Sequence, residues 1–391
     1  MAAITKQVLQ NNFMQQFSKQ PTACYFSPGR INLIGEHIDY NGGLVLPCAI
    51  SLGTYAAIAP RNDQKLQLYS ANFPDDILTI DLQNLSTKAQ GLWSDYVIGV
   101  CRGLQQQGYQ LPHGFDIFIQ GDLPASAGLS SSASLELLIG MIFREQFGWD
   151  LSLEQLAQLG QKAENDFVGV NSGIMDQFAV ALGKENNALI LNTATLAYDY
   201  VPLDLKDYCI VIMNSKQPRQ LANSKYNQRR NECEMALQLL QAKLAIAQLC
   251  ELTPERLDEY GYLFADPLLF KRARHVVWEN NRTLNAQKAL QQHDLATFGR
   301  LLNASHYSLQ QDYEVTGVAL DCLVTTAWQQ PETIGARMTG AGFGGCAIAL
   351  VAQAGVDHFV QTVGEQYQQA IGHEADFYIA HVANGPYQLK D

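Results

Sequence analysis

Met338-Thr-Gly-Ala-Gly-Phe-Gly-Gly345 runs straight into Cys346-Ala-Ile-Ala-Leu-Val351, and that junction decides what kind of fold the chain can have. Gly340, Gly342 and Gly345 spell a formal G-x-G-x-x-G. In a dinucleotide-binding domain that spacing follows a strand and opens a helix, whose free N–H groups hold a pyrophosphate. Here an apolar strand-forming run follows, so the loop reads as a glycine hairpin or cover beside a ligand. A doubly wound dinucleotide fold is thereby excluded. The protein-kinase pattern fails too, because Asp-Phe-Gly, Val-Ala-Ile-Lys and His-Arg-Asp are all missing.

Working outward, the hairpin belongs to a closing strand–helix–strand run at 347–351, 356–370 and 377–382. Before it, residues 217–330 are mostly helical, and 208–213 form an apolar strand. The first half reads as strands at 24–26, 44–50, 54–59, 65–70 and 115–120. A helix follows at 131–147, with Leu135, Leu138, Ile139 and Ile142 on one face. Ser152 and Gln155 form a capping box for another helix running toward Phe167. Ile4, Val8, Leu9, Phe13 and Phe17 fall at helical spacing and predict a docking amphipathic helix. A chain of 391 residues exceeds one comfortable core. The expectation is an α+β protein of two domains, 1–205 and 206–391, with a cleft between them.

Composition narrows the function. The net charge of −12 argues against a nucleic-acid surface, which needs Lys and Arg for phosphates. The uncharged run 40–60 is broken by Gly42, Gly43, Pro47 and Gly53, so no membrane partner is expected. The N-terminal stretch lacks the apolar block of a signal peptide. The eight cysteines include no Cys-x-x-Cys pair, so a cytoplasmic chain with reduced thiols is expected.

Three further segments carry chemistry. Ser27-Pro-Gly-Arg-Ile-Asn-Leu-Ile-Gly-Glu-His-Ile-Asp-Tyr-Asn-Gly-Gly43 crowds Arg30, Glu36, His37 and Asp39 beside three of its glycines. Such polar density needs a partner, and a sugar suits it, since each hydroxyl wants a carboxylate or a donor. The alternative is a solvated turn with a local ion pair. Pro124-Ala-Ser-Ala-Gly-Leu-Ser-Ser-Ser-Ala-Ser134 lets a ligand approach the backbone just before a helix. The free N–H groups there form an anion site; the alternative is an ordinary serine-capped helix, but three consecutive serines are more than a cap requires. In Asn171-Ser-Gly-Ile-Met-Asp-Gln-Phe178, Asp176 falls in the first turn of a helix, where the dipole favours its charge. Glu164 ends the preceding helix, and a helix–turn–helix at that spacing could bring both carboxylates together. One would serve Mg²⁺ and the other a nucleophile, although Glu164 taken alone reads as an exposed helix residue.

In this order and spacing the glycine segments resemble the GHMP kinases, and Gly29 to Asn41 is similar to the galactokinase branch. Arg272-Ala-Arg-His-Val-Val277 and Asp312-Tyr-Glu-Val315 share that resemblance, which covers nearly the whole chain; Ile38 stands where the family usually has Thr. The resemblance implies a ribosomal S5-like N-terminal domain, a ferredoxin-like C-terminal domain and an active site between them. It implies ATP-dependent phosphorylation of galactose at the anomeric oxygen by a monomer. Asp176 would be the catalytic base, with Arg30 keeping it ionised and steadying charge on the moving phosphoryl group. Glu36, His37, Ile38, Asp39, Gly173 and Tyr226 match substrate positions. Ser126, Ala127, Gly128, Leu129, Ser130, Ser131 and Ser132 match the ATP-phosphate loop, with Trp93 near the adenine. Ser132 and Glu164 match Mg²⁺ ligands. An N-acetylgalactosamine kinase and an inactive galactose and ATP sensor remain alternatives; the intact Asp176 and serine loop count against the sensor.

Overall fold

A computed structural model describes residues 4–390 apart from 125–126, 171 and 218–221, with backbone alone at 75–76 and 222–223. Ser126 and Asn171 therefore lie outside the described residues. Helix α1 (Lys6–Phe17) leads into β1 (Ala23–Asn32), β2 (Leu44–Val45), β3 (Pro47–Pro60), β4 (Lys65–Ser70) and β5 (Phe73–Asp81). Then come α2 (Ser94–Gln106), β6 (Phe115–Gly121), α3 (Ser131–Phe147), α4 (Leu153–Lys162), α5 (Met175–Ala181), β7 (Asn187–Asn192) and β8 (Tyr198–Pro202). The second half runs β9 (Tyr208–Asn214), α6 (Ala222–Gln241), α7 (Pro254–Glu259), α8 (Pro267–Gln291), α9 (Leu295–Ser308) and α10 (Gly317–Trp328). It closes with β10 (Thr333–Thr339), β11 (Cys346–Ala352), α11 (Val356–Ile371), β12 (Asp376–Ala380) and β13 (Tyr387–Gln388).

The described residues form three sheets, ordered β13-β1-β3-β6-β4-β5, β2-β7-β8 and β10-β11-β9-β12. The last is antiparallel throughout, and its order is that of a ferredoxin-like split βαβ. Strand β13 pairs with β1, so the chain end crosses the division expected near residue 205 and returns to the first sheet.

Strand β1 is longer than its apolar start at 24–26 suggests, and all of it is buried. Ser27, Pro28, Gly29 and Arg30 lie within it, with a register shift between Pro28 and Gly29. The strand expected at 44–50 is interrupted at Leu46. Its amide bonds the Ile34 carbonyl at 3.0 Å, and its carbonyl accepts from Leu33 at 3.1 Å. Helix α3 buries every residue from Ala133 to Phe143 rather than one face. It is packed between β1 and α2, α4 and α5, so the polar side expected of a surface helix is absent. The Ser152 capping box opens α4 as expected. Past Lys162, however, the helix widens into a π-turn over Ala163–Val168 and stops at Gly169, whose φ is +87°. Such single-turn widenings re-aim side chains.

Candidate active site

A cavity of about 490 Å³ opens where the end of β1, the N-termini of α3 and α5, the π-turn and the β10–β11 hairpin converge. Arg30, Glu36, His37, Asp39, Gly128, Ser130, Ser131, Ser132, Glu164, Gly173, Asp176 and Tyr226 all line it.

Asp176 occupies the first turn of α5. Its Oδ1 accepts from Arg30 Nε at 2.9 Å and from Arg30 Nη2 at 2.6 Å. Arg30 Nη1 donates to the Gly128 carbonyl at 2.7 Å, which ties the strand to the serine loop. Ser130 sits in the left-handed region at φ +59° and makes no side-chain cap. Its hydroxyl instead donates to Asp176 Oδ2 at 2.5 Å. One carboxylate is thus oriented from both sides, and a base so held keeps a single direction toward a substrate.

The turn after β1 supplies the second group. Gly35 has φ +96° and His37 φ +62°, left-handed positions that glycine accepts and histidine resists. Glu36 Oε2 accepts from Arg337 Nη2 at 2.9 Å and from the Gly340 amide at 3.0 Å. Burial pushes its carboxyl up, against Arg337 and then Arg30. The His37 Nε2–H donates to the Ala341 carbonyl at 3.1 Å, since a carbonyl can only accept. Its Nδ1 then accepts from the Tyr40 hydroxyl at 2.8 Å. Both ring nitrogens are therefore engaged within the protein, and burial lowers the imidazole to about 3, so it stays neutral. Asp39 is half-buried. Burial first, then the Asp176 and Glu36 charges, push its carboxyl up to about 7. Gly173 faces it closely: a Cβ there would lie 1.8 Å from Asp39 Oδ2. Ile38 departs from expectation. It is fully buried in the core and absent from the cavity wall, and only its carbonyl serves the turn, accepting from Asn41 and Gly43.

On the opposite wall, Ser131 and Ser132 begin α3. Ala127 and Leu129 are core residues whose side chains leave the cavity, and the Leu129 carbonyl accepts from the Arg30 amide at 3.2 Å. Trp93 is half-buried at the start of α2. It packs against the core, while Tyr96, one turn further along, lines the cavity. Glu164 is buried rather than exposed, because the π-turn rolls it inward. Its Oε2 accepts from Ser172 Oγ at 2.6 Å and Gln177 Nε2 at 3.0 Å. Burial and the Asp176 charge push this carboxyl up, with Ser172 opposing. A cation would relieve that crowding of carboxylates, and Glu164 and Ser132 are hard oxygen donors facing one space. Among the described residues no cluster of three or more His, Cys, Asp or Glu forms a metal cage. Two protein oxygens nevertheless fit Mg²⁺, which takes its remaining ligands from phosphates and water.

Arg337 escaped the sequence reading. It is fully buried, holds the Asn32 and Leu33 carbonyls at 3.0 Å each, and anchors Glu36. Its only local signal is a charge inside an otherwise apolar strand.

Comparison with known proteins agrees with this geometry. The galactokinase galactose-binding signature matches residues 11–60. The GHMP kinase N-terminal domain matches 95–184 and the C-terminal one 286–369. A galactokinase of Ligilactobacillus salivarius is 54% identical over 381 residues, 97% of this chain and 98% of that protein. The crystal structure of Lactococcus lactis galactokinase complexed with galactose superposes with a TM-score of 0.95 at 49% identity, covering 98% of this chain and 99% of that one. Methanococcus jannaschii mevalonate kinase, 18% identical over 92% of this chain and 98% of its own, shares the fold with a TM-score of 0.64. With a two-domain α+β fold, a serine loop sharing one cavity with Glu36, His37 and Asp39, and relatives alike over nearly their whole length, the chain belongs to the galactokinase family of GHMP kinases.

Proposed function

We propose that the chain transfers the γ-phosphoryl group of ATP to the anomeric hydroxyl of galactose, giving galactose 1-phosphate and ADP, with Mg²⁺ accompanying the nucleotide. The observation that carries this reading is the position of Asp176. It is oriented by Arg30 and Ser130 on one rim of a single cavity that carries Glu36 and Asp39 on one side and the serine loop on the other.

Phosphoryl transfer needs alignment and charge neutralisation more than covalent assistance. The α3 N-terminus and the Gly128–Ser132 backbone face the phosphates, where free amides and the helix dipole favour anions. Glu164 and Ser132 would hold Mg²⁺, which supplies charge neutralisation on the phosphates when bound. Asp176 accepts the proton of the anomeric hydroxyl. The anomeric oxygen bonds to the γ-phosphorus while the bond from that phosphorus to the bridging oxygen breaks, and ADP leaves. Arg30, beside Asp176, steadies negative charge on the moving group. Asp39, Glu36 and Tyr226 provide acceptors and a donor for the sugar's remaining hydroxyls. Gly173 leaves room for Asp39 to approach.

Galactose and glucose differ only in the direction of the C4 hydroxyl. A charged pocket rejects the wrong epimer because a buried carboxylate is left without its partner, and such sites reach roughly 10⁴-fold discrimination. Steady-state kinetics at saturating MgATP should show strong turnover of galactose and little of glucose. Comparable kcat/KM for the two sugars would sink the galactose assignment while leaving a kinase.

A further inference from the structure

We infer that His275 and Glu279, one turn apart on α8, are positioning residues for sugar binding. They act by gripping the backbone of the 35–36 turn from the other half of the chain, and the inference rests on the sugar-kinase reading above. The Glu279 carboxylate is fully buried. Its Oε1 accepts from the Gly35 amide at 3.0 Å, the Glu36 amide at 3.4 Å and the Ser305 hydroxyl at 2.6 Å. Its Oε2 accepts from Arg282 Nε at 2.7 Å. Both oxygens are thus committed, and two of the four bonds go to main-chain amides of the turn that presents Glu36 and His37. His275, also fully buried, takes the other side of the same residue. Its Nε2–H donates to the Glu36 carbonyl at 3.1 Å, while Nδ1 meets Ser308 Oγ at 3.0 Å. The peptide groups on both sides of Glu36 are therefore fixed by one face of one helix.

That grip has a purpose the local sequence cannot serve. Gly35 and His37 flank Glu36 with φ of +96° and +62°. A non-glycine residue in that region is strained and persists only where its surroundings over-determine it. Here α8 holds 35–36, and the His37 ring is tied separately to Tyr40 and Ala341. Thr283, one turn beyond Glu279, closes the space over Gly35: a Cβ there would come within 3.1 Å of Thr283 Oγ1 and 2.6 Å of the Leu44 carbonyl oxygen. The charge states suit the roles. Burial pushes the Glu279 carboxyl up, but Arg282, His275 once protonated at low pH, and Arg337 outweigh it and hold it at about 2. Burial lowers His275 to about 4, leaving a neutral ring with one N–H to donate. Neither side chain lines the cavity, and the serine loop lies on the far wall, so the effect falls on the sugar and spares the nucleotide.

The test compares wild type with Glu279→Gln, His275→Phe and His275→Gln, the last retaining a side-chain N–H able to reach the Glu36 carbonyl. Amide hydrogen exchange over residues 33–38, without substrate, reads the grip directly. Steady-state kinetics then separate KM for galactose from KM for ATP. Expected for Glu279→Gln and His275→Phe are faster exchange in that segment and a KM for galactose raised about 10-fold or more, the scale on which charge-assisted bonds act. KM for ATP stays at the wild-type value, and His275→Gln recovers most of the loss. Folded variants with wild-type exchange and wild-type KM for galactose would overturn the inference. So would equal rises in both KM values, which mark a merely structural role. If Glu279→Gln fails to fold, the two His275 variants decide. A wild type inactive on galactose would sink the sugar reading, and the exchange measurement would still judge the grip.

Discussion

Replacing Asp176 with Asn removes one charge and leaves almost every contact in place, which makes it the sharpest test of the mechanism. The amide oxygen can still accept both Arg30 bonds, now at 2.9 and 2.6 Å to Oδ1. The amide nitrogen takes the place of Oδ2, and the Ser130 hydroxyl, 2.5 Å away, rotates from donor to acceptor. Orphaning a fully buried ion costs about 3–5 kcal/mol. The Asp176 side chain is 26% exposed, and the Glu36 charge also acts on Arg30. The stability cost should therefore be discounted to about 1–2 kcal/mol, and the variant should fold. Catalysis loses proton transfer altogether, worth roughly 10²–10⁴-fold in rate. A coupled ADP-release assay gives kcat, thermal melting confirms the fold, and calorimetry checks that galactose and nucleotide still bind. A folded Asp176→Asn enzyme with kcat within about tenfold of wild type would remove Asp176 from the chemistry.

Three other perturbations separate the parts of the site. Glu164→Ala should shift the Mg²⁺ titration of activity to higher concentration and cripple transfer while galactose binding without nucleotide is unchanged; an unaltered titration would return Glu164 to a structural role. With Asp39 pushed up to about 7 by burial and by Asp176 and Glu36, kcat/KM for galactose should climb as pH rises through that value, because the ionised carboxylate accepts charge-assisted bonds from sugar hydroxyls that the protonated acid makes more weakly. Asp39→Asn should lack that limb, and a flat wild-type profile between about pH 6 and 8 would count against the assignment. The same raised carboxyl opposes folding as it ionises, so thermal melting should show Asp39→Asn gaining on wild type as pH climbs from about 4 to about 7. Gly173→Ala places a methyl 1.8 Å from Asp39 Oδ2, so KM for galactose should rise sharply with KM for ATP little changed, and an unaffected KM would show that the two residues do not cooperate.

Much of this was legible locally. The glycine hairpin, the helix at 131–147, the Ser152 cap and the first-turn place of Asp176 are decided by φ preference, residue period and capping, which act within a few residues. Polar density beside glycines gathered Arg30, Glu36 and Asp39, the serine run held Ser132, and helix–turn–helix spacing paired Glu164 with Asp176; the structure brings these residues to one cavity. Such local signals could not say that Ile38 would pack into the core, that Ser130 would turn its hydroxyl to Asp176, or that a π-turn would bury Glu164. Nor could they show Arg337 reaching Glu36 across 301 positions, or Glu279 holding Gly35 across 244. Those partners are chosen by packing. Once two halves of the chain close on a turn, every buried charge and amide must find a partner within about 3 Å, and only the folded arrangement determines which one is near enough.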